Sequence, residues 1–301
     1  MTSGTMTGGK PGGFATAAWQ GFVSFARLVK IEHSVFALPF AYCGMVMAAG
    51  GWPGWRVFIL VTVAMVAMRS FAMIVNRLAD LPFDRRNPRT QERPLVTGAV
   101  SVRSARRMAL ATALVFVLAA AGLNTLVLSL TPVALILAGG YSYAKRFTFL
   151  CHYWLGAVLG LAPVAGWLAV VPAFHMAPVL LGLGVTFWVA GFDILYATQD
   201  VDFDRQAGLR AIPARFGIPT ALAIAAFSHA NTAVFFLLAG WAGNAGWPYY
   251  LVAGIIGAVL AYEHTLVRPD DLRRVNTAFF TVNGVVAIMI FAGVLLDLWL
   301  A

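Results

Sequence analysis

Long apolar runs separated by short polar loops make up most of this chain. The stretch VFILVTVAMVAMRSFAMIV, residues 57–75, carries one charge, Arg69, in nineteen positions. A hydrocarbon core about 30 Å thick takes roughly 20 apolar residues per spanning helix. Nine stretches meet that requirement, at about 33–50, 57–76, 108–124, 126–144, 152–171, 178–198, 218–240, 246–263 and 277–299. The runs are continuous and do not alternate with period two, which argues against a membrane β-barrel. The pattern predicts an all-α, polytopic membrane protein.

Composition agrees with the pattern. Of 301 residues, 60% are hydrophobic and 11% charged, and the mean hydropathy is +0.81. These values lie well outside the range of water-soluble domains. The glycine-rich start, MTSGTMTGGKPGG, reads as a flexible polar tail over residues 1–21 with no cleavage site after the first apolar run, leaving 22–301 as the transmembrane domain. The two cysteines, Cys43 and Cys151, have no metal-ligand spacing, and neither a disulfide nor a metal site is expected from them.

The net charge of +9 raises nucleic acid as a partner, but the placement of the bases answers otherwise. Lys10, Arg27 and Lys30 precede the first run, and Arg77 to Arg107, Lys145 with Arg146, Arg205 to Arg215 and Arg268 to Arg274 follow every second run. The alternate loops carry only Arg56. That asymmetry is the positive-inside pattern. It predicts a cytoplasmic N-terminus, an outer C-terminus and no nucleic-acid role; nothing points to an obligate protein partner.

Half of the twelve acids fall in two short segments, Asp80 and Asp84 after the second run, and Asp193, Asp200, Asp202 and Asp204 around the end of the sixth. Acids at membrane depth are costly and mark function. At about 100° per residue, Arg69, Asn76, Asp80 and Asp84 share one stripe of a helix, as do Asp193, Asp200 and Asp204, with Asp202 on the opposite side. Pro82 should kink or end the first helix between its two aspartates. Facing rows of carboxylates suit Mg²⁺, whose shell is completed by water and phosphate oxygens. The arginines and lysines around them suit the anion such ions carry, and a diphosphate satisfies both.

At these residues the chain resembles the UbiA family of membrane prenyltransferases. NRLADLPFD is similar to the family's first aspartate-rich motif, DILYATQDVDFD to the second, and YSYAK, residues 141–145, to a Tyr-x-x-x-Lys motif between them; the likeness covers roughly residues 22–299. The resemblance implies about nine transmembrane helices around a central cavity. It implies that Asn76, Asp80, Asp84, Asp200 and Asp204 hold two Mg²⁺ ions bridging a polyprenyl diphosphate. Arg77, Arg89, Arg93 and Lys145 then contact the diphosphate. Arg69 is placed to meet the carboxylate of an aromatic acceptor, or alternatively to neutralise Asp193. Asp193 would orient or deprotonate the acceptor hydroxyl, with Tyr141 and Lys145 beside the reacting groups.

EHSVFALPFAY, GFDILYATQDVDFDRQAGLRAIPARFG and NTAFFTVNG are similar to the 4-hydroxybenzoate polyprenyltransferase branch of that family. The implied acceptor is a hydroxylated aromatic acid in ubiquinone or menaquinone biosynthesis, either 4-hydroxybenzoate or 1,4-dihydroxy-6-naphthoate of the futalosine route. The site would lie at the cytoplasmic face of a bacterial inner membrane, open to membrane lipid. An anionic-solute transporter is the rival of another class, though it would place charge nearer the midplane. A CDP-alcohol phosphotransferase is set aside because its D-x₂-D-G-x₂-A-R string does not occur. His33, His152, His175, His229 and His264 lack ligand spacing and read as structural. Phe36, Phe40, Tyr42, Trp154, Phe187 and Phe192 could wall a tail cavity but read first as packing. Asn276 and Asn283 predict hydrogen bonds between helices.

Overall fold

The computed structural model describes residues 25, 28–29, 37–272, 275 and 283–300, and among these it has no β-strand. The tail over 1–21 and the readings of His33, Phe36 and Asn276 lie outside the described residues. A short helix, α1 (Leu38–Ala49), is followed by eight helices long and apolar enough to cross a membrane. These are α2 (Trp55–Asp84), α3 (Val102–Ala121), α4 (Thr125–Ala144), α5 (Cys151–Val170), α6 (Met176–Ala197), α9 (Ile218–Ala242), α10 (Trp247–Leu266) and α11 (Asn283–Leu300). Two short helices, α7 (Val201–Gln206) and α8 (Ile212–Phe216), lie between α6 and α9.

Local signals set several boundaries. Ser101 caps α3, its Oγ accepting the Ser104 N–H at 3.1 Å, and Asn124 caps α4 by accepting the Val127 N–H at 3.0 Å. His175 caps α6 through Nδ1, which accepts the Ala177 N–H at 3.2 Å.

Two boundaries differ from expectation, and both bear on the site. First, α2 runs unbroken through Pro82 to Asp84. A proline this near a helix end deletes one hydrogen bond in the last turn, so the helix does not end at it. At 1.5 Å per residue the 30-residue helix is roughly 45 Å long, longer than the hydrocarbon is thick, and Asp80 and Asp84 lie in its last two turns. Second, α6 stops at Ala197, and a 3₁₀ turn, Thr198–Asp200, intervenes before α7. The run that carries Asp193, Asp200 and Asp204 is thus interrupted by one 3₁₀ turn, and all three side chains still line one cavity.

Packing runs α1 on α5, α5 on α6, α6 on α9, α9 on α10, α10 on α11 and α11 back on α1, while α2, α3 and α4 form a second group joined through α4 to α5. Small residues permit the close crossings. A Cβ on Gly160 would lie 2.4 Å from the Gly182 carbonyl oxygen, and one on Gly182 would lie 2.3 Å from that of Gly160. Backbones in contact at this level replace the hydrophobic driving force that lipid does not supply. The main core gathers Phe40, Met45, Leu181, Val185, Trp188, Phe236 and Ile256 from four of the ring helices. Of the aromatics considered as cavity wall, Phe40 packs on Trp188 at 5.2 Å, Phe187 stacks on Phe235 at 5.5 Å, Tyr42 bonds Thr62, and Trp154 donates to the Leu137 carbonyl.

One polar network is sealed inside this ring. Trp188 Nε1–H donates to Asn283 Oδ1 at 2.7 Å, and Asn283 Nδ2 donates to Glu263 Oε1 at 3.0 Å. Glu263 Oε2 is 3.4 Å from His229 Nδ1, which lies 2.9 Å from His264 Nε2. The expected interhelical role of Asn283 is present.

Candidate active site

A cavity of about 600 Å³ opens between α2, α4, α5 and α6, with the 3₁₀ turn and α7 at its end. Met65, Met68, Leu155, Val158, Leu159, Val189 and Phe192 wall one part, so Phe192 alone of the described aromatic candidates lines it. Arg69, Asn76, Arg77, Arg89, Arg93, Tyr141, Lys145, Asp193, Asp200 and Asp204 line the rest. Ten of the twelve site residues expected from sequence thus share one space, although they lie up to 135 positions apart, from Arg69 to Asp204.

The remaining two, Asp80 and Asp84, are buried just behind the lining. Lys145 Nζ donates to Asp80 Oδ2 at 2.9 Å, and Asn76 Nδ2 donates to the same oxygen at 3.3 Å. Asp84 receives Arg93 Nη1 on both oxygens at 2.6 Å. On the facing side Arg89 grips Asp200 with two nitrogens, Nε to Oδ1 at 2.9 Å and Nη2 to Oδ2, while its Nη1 donates to the Tyr196 hydroxyl at 2.8 Å. Each of three acids expected to hold metal is therefore bonded to a base expected to hold phosphate. A bidentate guanidinium on a carboxylate is the strong form of such a pair.

The donor set fits a hard divalent cation in kind, since it is made of carboxylate and amide oxygens. Asp80 Oδ1 is buried with no hydrogen-bond partner, and the buried Arg77 Nε has none either. Among the described residues no three His, Cys, Asp or Glu side chains converge on one metal position. Asp204 is buried at the cavity end, whereas Asp202 is exposed and outside the lining, the opposed facing expected of it. Arg85 and Arg86 are exposed as well.

Deeper in the cavity Asp193 pairs with His152, whose Nδ1 lies 2.7 Å from Oδ2. The reading of His152 as merely structural is thereby corrected, because the ring lines the cavity and holds a candidate catalytic acid. The alternative in which Arg69 neutralises Asp193 has no support, because no ion pair joins them among the described residues. Sequence reasoning also passed over Asn87, which donates to Asp200 Oδ1 at 3.3 Å, and Tyr196. Tyr196 stands one turn after Asp193, a spacing that could have been noticed; His152 gives no such local signal.

Fold and cavity together define a polytopic helical membrane protein with a charged pocket beside an apolar wall. The model of the UbiA prenyltransferase family matches residues 37–285, and the chain belongs to that family. It is accordingly a membrane prenyltransferase, and the transporter reading falls. The chain is 34% identical over 277 residues to the 4-hydroxybenzoate octaprenyltransferase of Cupriavidus metallidurans, covering 89% of this chain and 92% of that one. It is similar in structure to a UbiA homolog from Aeropyrum pernix K1, with a TM-score of 0.80, 37% identity, and coverage of 89% and 98%. A UbiA homolog from Archaeoglobus fulgidus bound to DMAPP and Mg²⁺ shares the fold at a TM-score of 0.71 and 22% identity, over 92% of this chain and all of that one.

Proposed function

We propose that this chain transfers a polyprenyl group from polyprenyl diphosphate to a ring carbon of a hydroxylated aromatic acid, with 4-hydroxybenzoate as the first acceptor to test. The observation that carries the reading is one cavity lined at one end by Lys145, Arg93, Arg89 and Asp200, with Asp80 and Asp84 paired to Lys145 and Arg93 just behind them, and by an apolar wall at the other. A prenyl diphosphate has the same two halves. The name of the Cupriavidus relative and the ligands of the Archaeoglobus homolog support the same assignment.

Asn76, Asp80, Asp84, Asp200 and Asp204 would hold two Mg²⁺ ions, which when bound neutralise the diphosphate and stabilise its departure. The protein's own part begins with an exchange of partners. The carboxylates turn to cations, and Arg77, Arg89, Arg93 and Lys145 turn to the phosphate oxygens, where charge grows as the carbon–oxygen bond breaks. The apolar wall of Met65, Met68, Leu155, Val158, Leu159 and Phe192 excludes water from the allylic cation. Arg69 faces the acceptor carboxylate, with Tyr141 beside it. Asp193 accepts from the acceptor hydroxyl and raises electron density at the ortho ring carbon that attacks. Loss of the ring proton restores aromaticity.

The excess of bases in alternate loops supports a mouth at the cytoplasmic face of a bacterial inner membrane, with the N-terminus inside and the C-terminus outside. A long isoprenoid tail gains about 0.8 kcal/mol per CH₂ buried in lipid, so the prenyl donor can enter from the bilayer side.

Membranes containing the protein, given Mg²⁺ and labelled prenyl diphosphate, are to be assayed with 4-hydroxybenzoate and, in parallel, 1,4-dihydroxy-6-naphthoate. A labelled lipid-soluble aromatic product with either acceptor is expected, and the better acceptor names the pathway. Folded protein that makes product with neither would overturn the reading.

A further inference from the structure

His152, the second residue of α5, is only 3% exposed, and both of its ring nitrogens are engaged by partners of opposite kind. Ile212, the first residue of α8, donates its backbone N–H to Nε2 at 3.2 Å. A nitrogen that accepts an N–H carries no proton of its own. That contact fits a ring with its proton on Nδ1, donated to Asp193 Oδ2 at 2.7 Å. The tautomer of the histidine is thus written by the backbone of a loop.

That loop is tied to the other half of the cavity. Leu209 N–H donates to the Asp204 carbonyl at 2.8 Å, and Arg210 N–H to the Lys145 carbonyl at 2.7 Å. Arg210 also reaches the Phe147 carbonyl with Nη1 at 3.0 Å. Residues 209–212 therefore bind, in sequence, a candidate metal-holding residue, a candidate phosphate-holding residue and the histidine behind Asp193. Asp193 itself sits on α6, whose helix stops four residues later, so α6 alone does not fix its side chain relative to α8. Among the described residues no hydrogen bond engages Asp193 Oδ1, which leaves that oxygen for a ligand in the cavity.

We propose that His152 is a positioning residue for the acceptor half of the site: it holds Asp193 by one oxygen and presents the other to the hydroxyl of the aromatic acceptor. Its other ring nitrogen is held by Ile212, at the end of the 209–212 segment that is bonded to Asp204 and Lys145. The proposal rests on the aromatic prenyltransferase reading above. It assigns His152 no contact with either substrate.

Three substitutions separate the two bonds of the ring. His152→Ala removes both. His152→Asn sets an amide N–H near the place of Nδ1, within reach of Asp193, but falls short of Ile212. His152→Gln carries a carbonyl to Ile212 and offers Asp193 nothing. Purified protein in nanodiscs, given Mg²⁺, geranyl diphosphate and 4-hydroxybenzoate, is to be compared across these forms. A lost hydrogen bond to a charged group corresponds to about 10- to 100-fold, and that loss is expected in kcat/KM for 4-hydroxybenzoate with Ala and with Gln. Asn should recover most of it, and KM for geranyl diphosphate should stay within about twofold throughout, the scatter of independent sites. Equal behaviour of Asn and Gln, or a loss shared equally by both substrates, would overturn the proposal.

A second readout does not need turnover. Nitrogen-15 spectra of histidine-labelled protein should show His152 as a neutral ring protonated at Nδ1, and a ring protonated at Nε2 or at both nitrogens would overturn the assignment. If wild-type protein makes no product with 4-hydroxybenzoate, the functional reading fails, while the spectrum still decides the state of His152.

Discussion

Two regions of this molecule bury ionisable side chains among membrane helices, and they do it in opposite ways. At the cavity mouth Asp80, Asp84 and Asp200 are each matched to a base across different elements, beside open space. Between α6, α9, α10 and α11 the chain Trp188, Asn283, Glu263, His229 and His264 is closed on itself, with Glu263 and His229 essentially inaccessible. Both gather polar partners around buried ionisable groups, and in each one carboxylate oxygen, Asp80 Oδ1 or Glu263 Oε2, accepts no hydrogen bond. The difference lies in what the partners can do next. At the mouth each can be exchanged for a ligand, because the cavity admits one. In the sealed network every exchange breaks the packing, so its residues specify how α6, α10 and α11 fit together. Depth of burial alone therefore does not mark function here; access does.

The two regions should fail differently when mutated. Asp80→Asn and Asp200→Asn are expected to lower prenyl transfer on the order of 1000-fold, the scale of removing a preorganised electrostatic contact, with thermal unfolding in detergent little changed. Smaller losses should follow from the bases. Arg89→Ala and Lys145→Ala are expected to raise KM for prenyl diphosphate by about 10- to 100-fold, read from initial rates at saturating acceptor. Arg89→Lys should not restore the loss, because a single ammonium cannot reproduce the two-nitrogen grip now made on Asp200.

The sealed network should show the reverse signature. Asn283→Ala leaves Trp188 Nε1–H and Glu263 Oε1 unpartnered, which costs about 1–3 kcal/mol. A lower unfolding temperature is expected, with kcat per folded molecule retained. Loss of turnover without loss of stability would move this network into the active machinery and end the contrast. The smallest effect belongs to Asp202→Asn, a change at an exposed position outside the cavity, expected to keep activity within about twofold.

The hydrophobic pattern was enough to place the described spans, because runs near 20 residues leave a membrane chain few alternatives. It was also enough to locate the mouth, since six acids clustered beside the bases are conspicuous in so apolar a sequence. One boundary was misjudged: Pro82 stands in the last turn of α2, and the helix runs past it to Asp84. What could not be read were contacts with no local signal. His152 meets Asp193 across 41 positions and Ile212 across 60, and His229 meets His264 across 35. Such pairs are made by the crossing of helices, and a single sequence shows the residues without the crossing.

The central claim is that the paired charges at the mouth and the apolar wall beside them serve one reaction. Mass spectrometry of the lipid-soluble product formed by purified, reconstituted protein from Mg²⁺, geranyl diphosphate and 4-hydroxybenzoate tests it most directly. The account predicts the acid carrying one geranyl group on a ring carbon, with release of diphosphate that stops on chelation of the metal. Geraniol as the sole product, from an acceptor that stays unmodified, would contradict it.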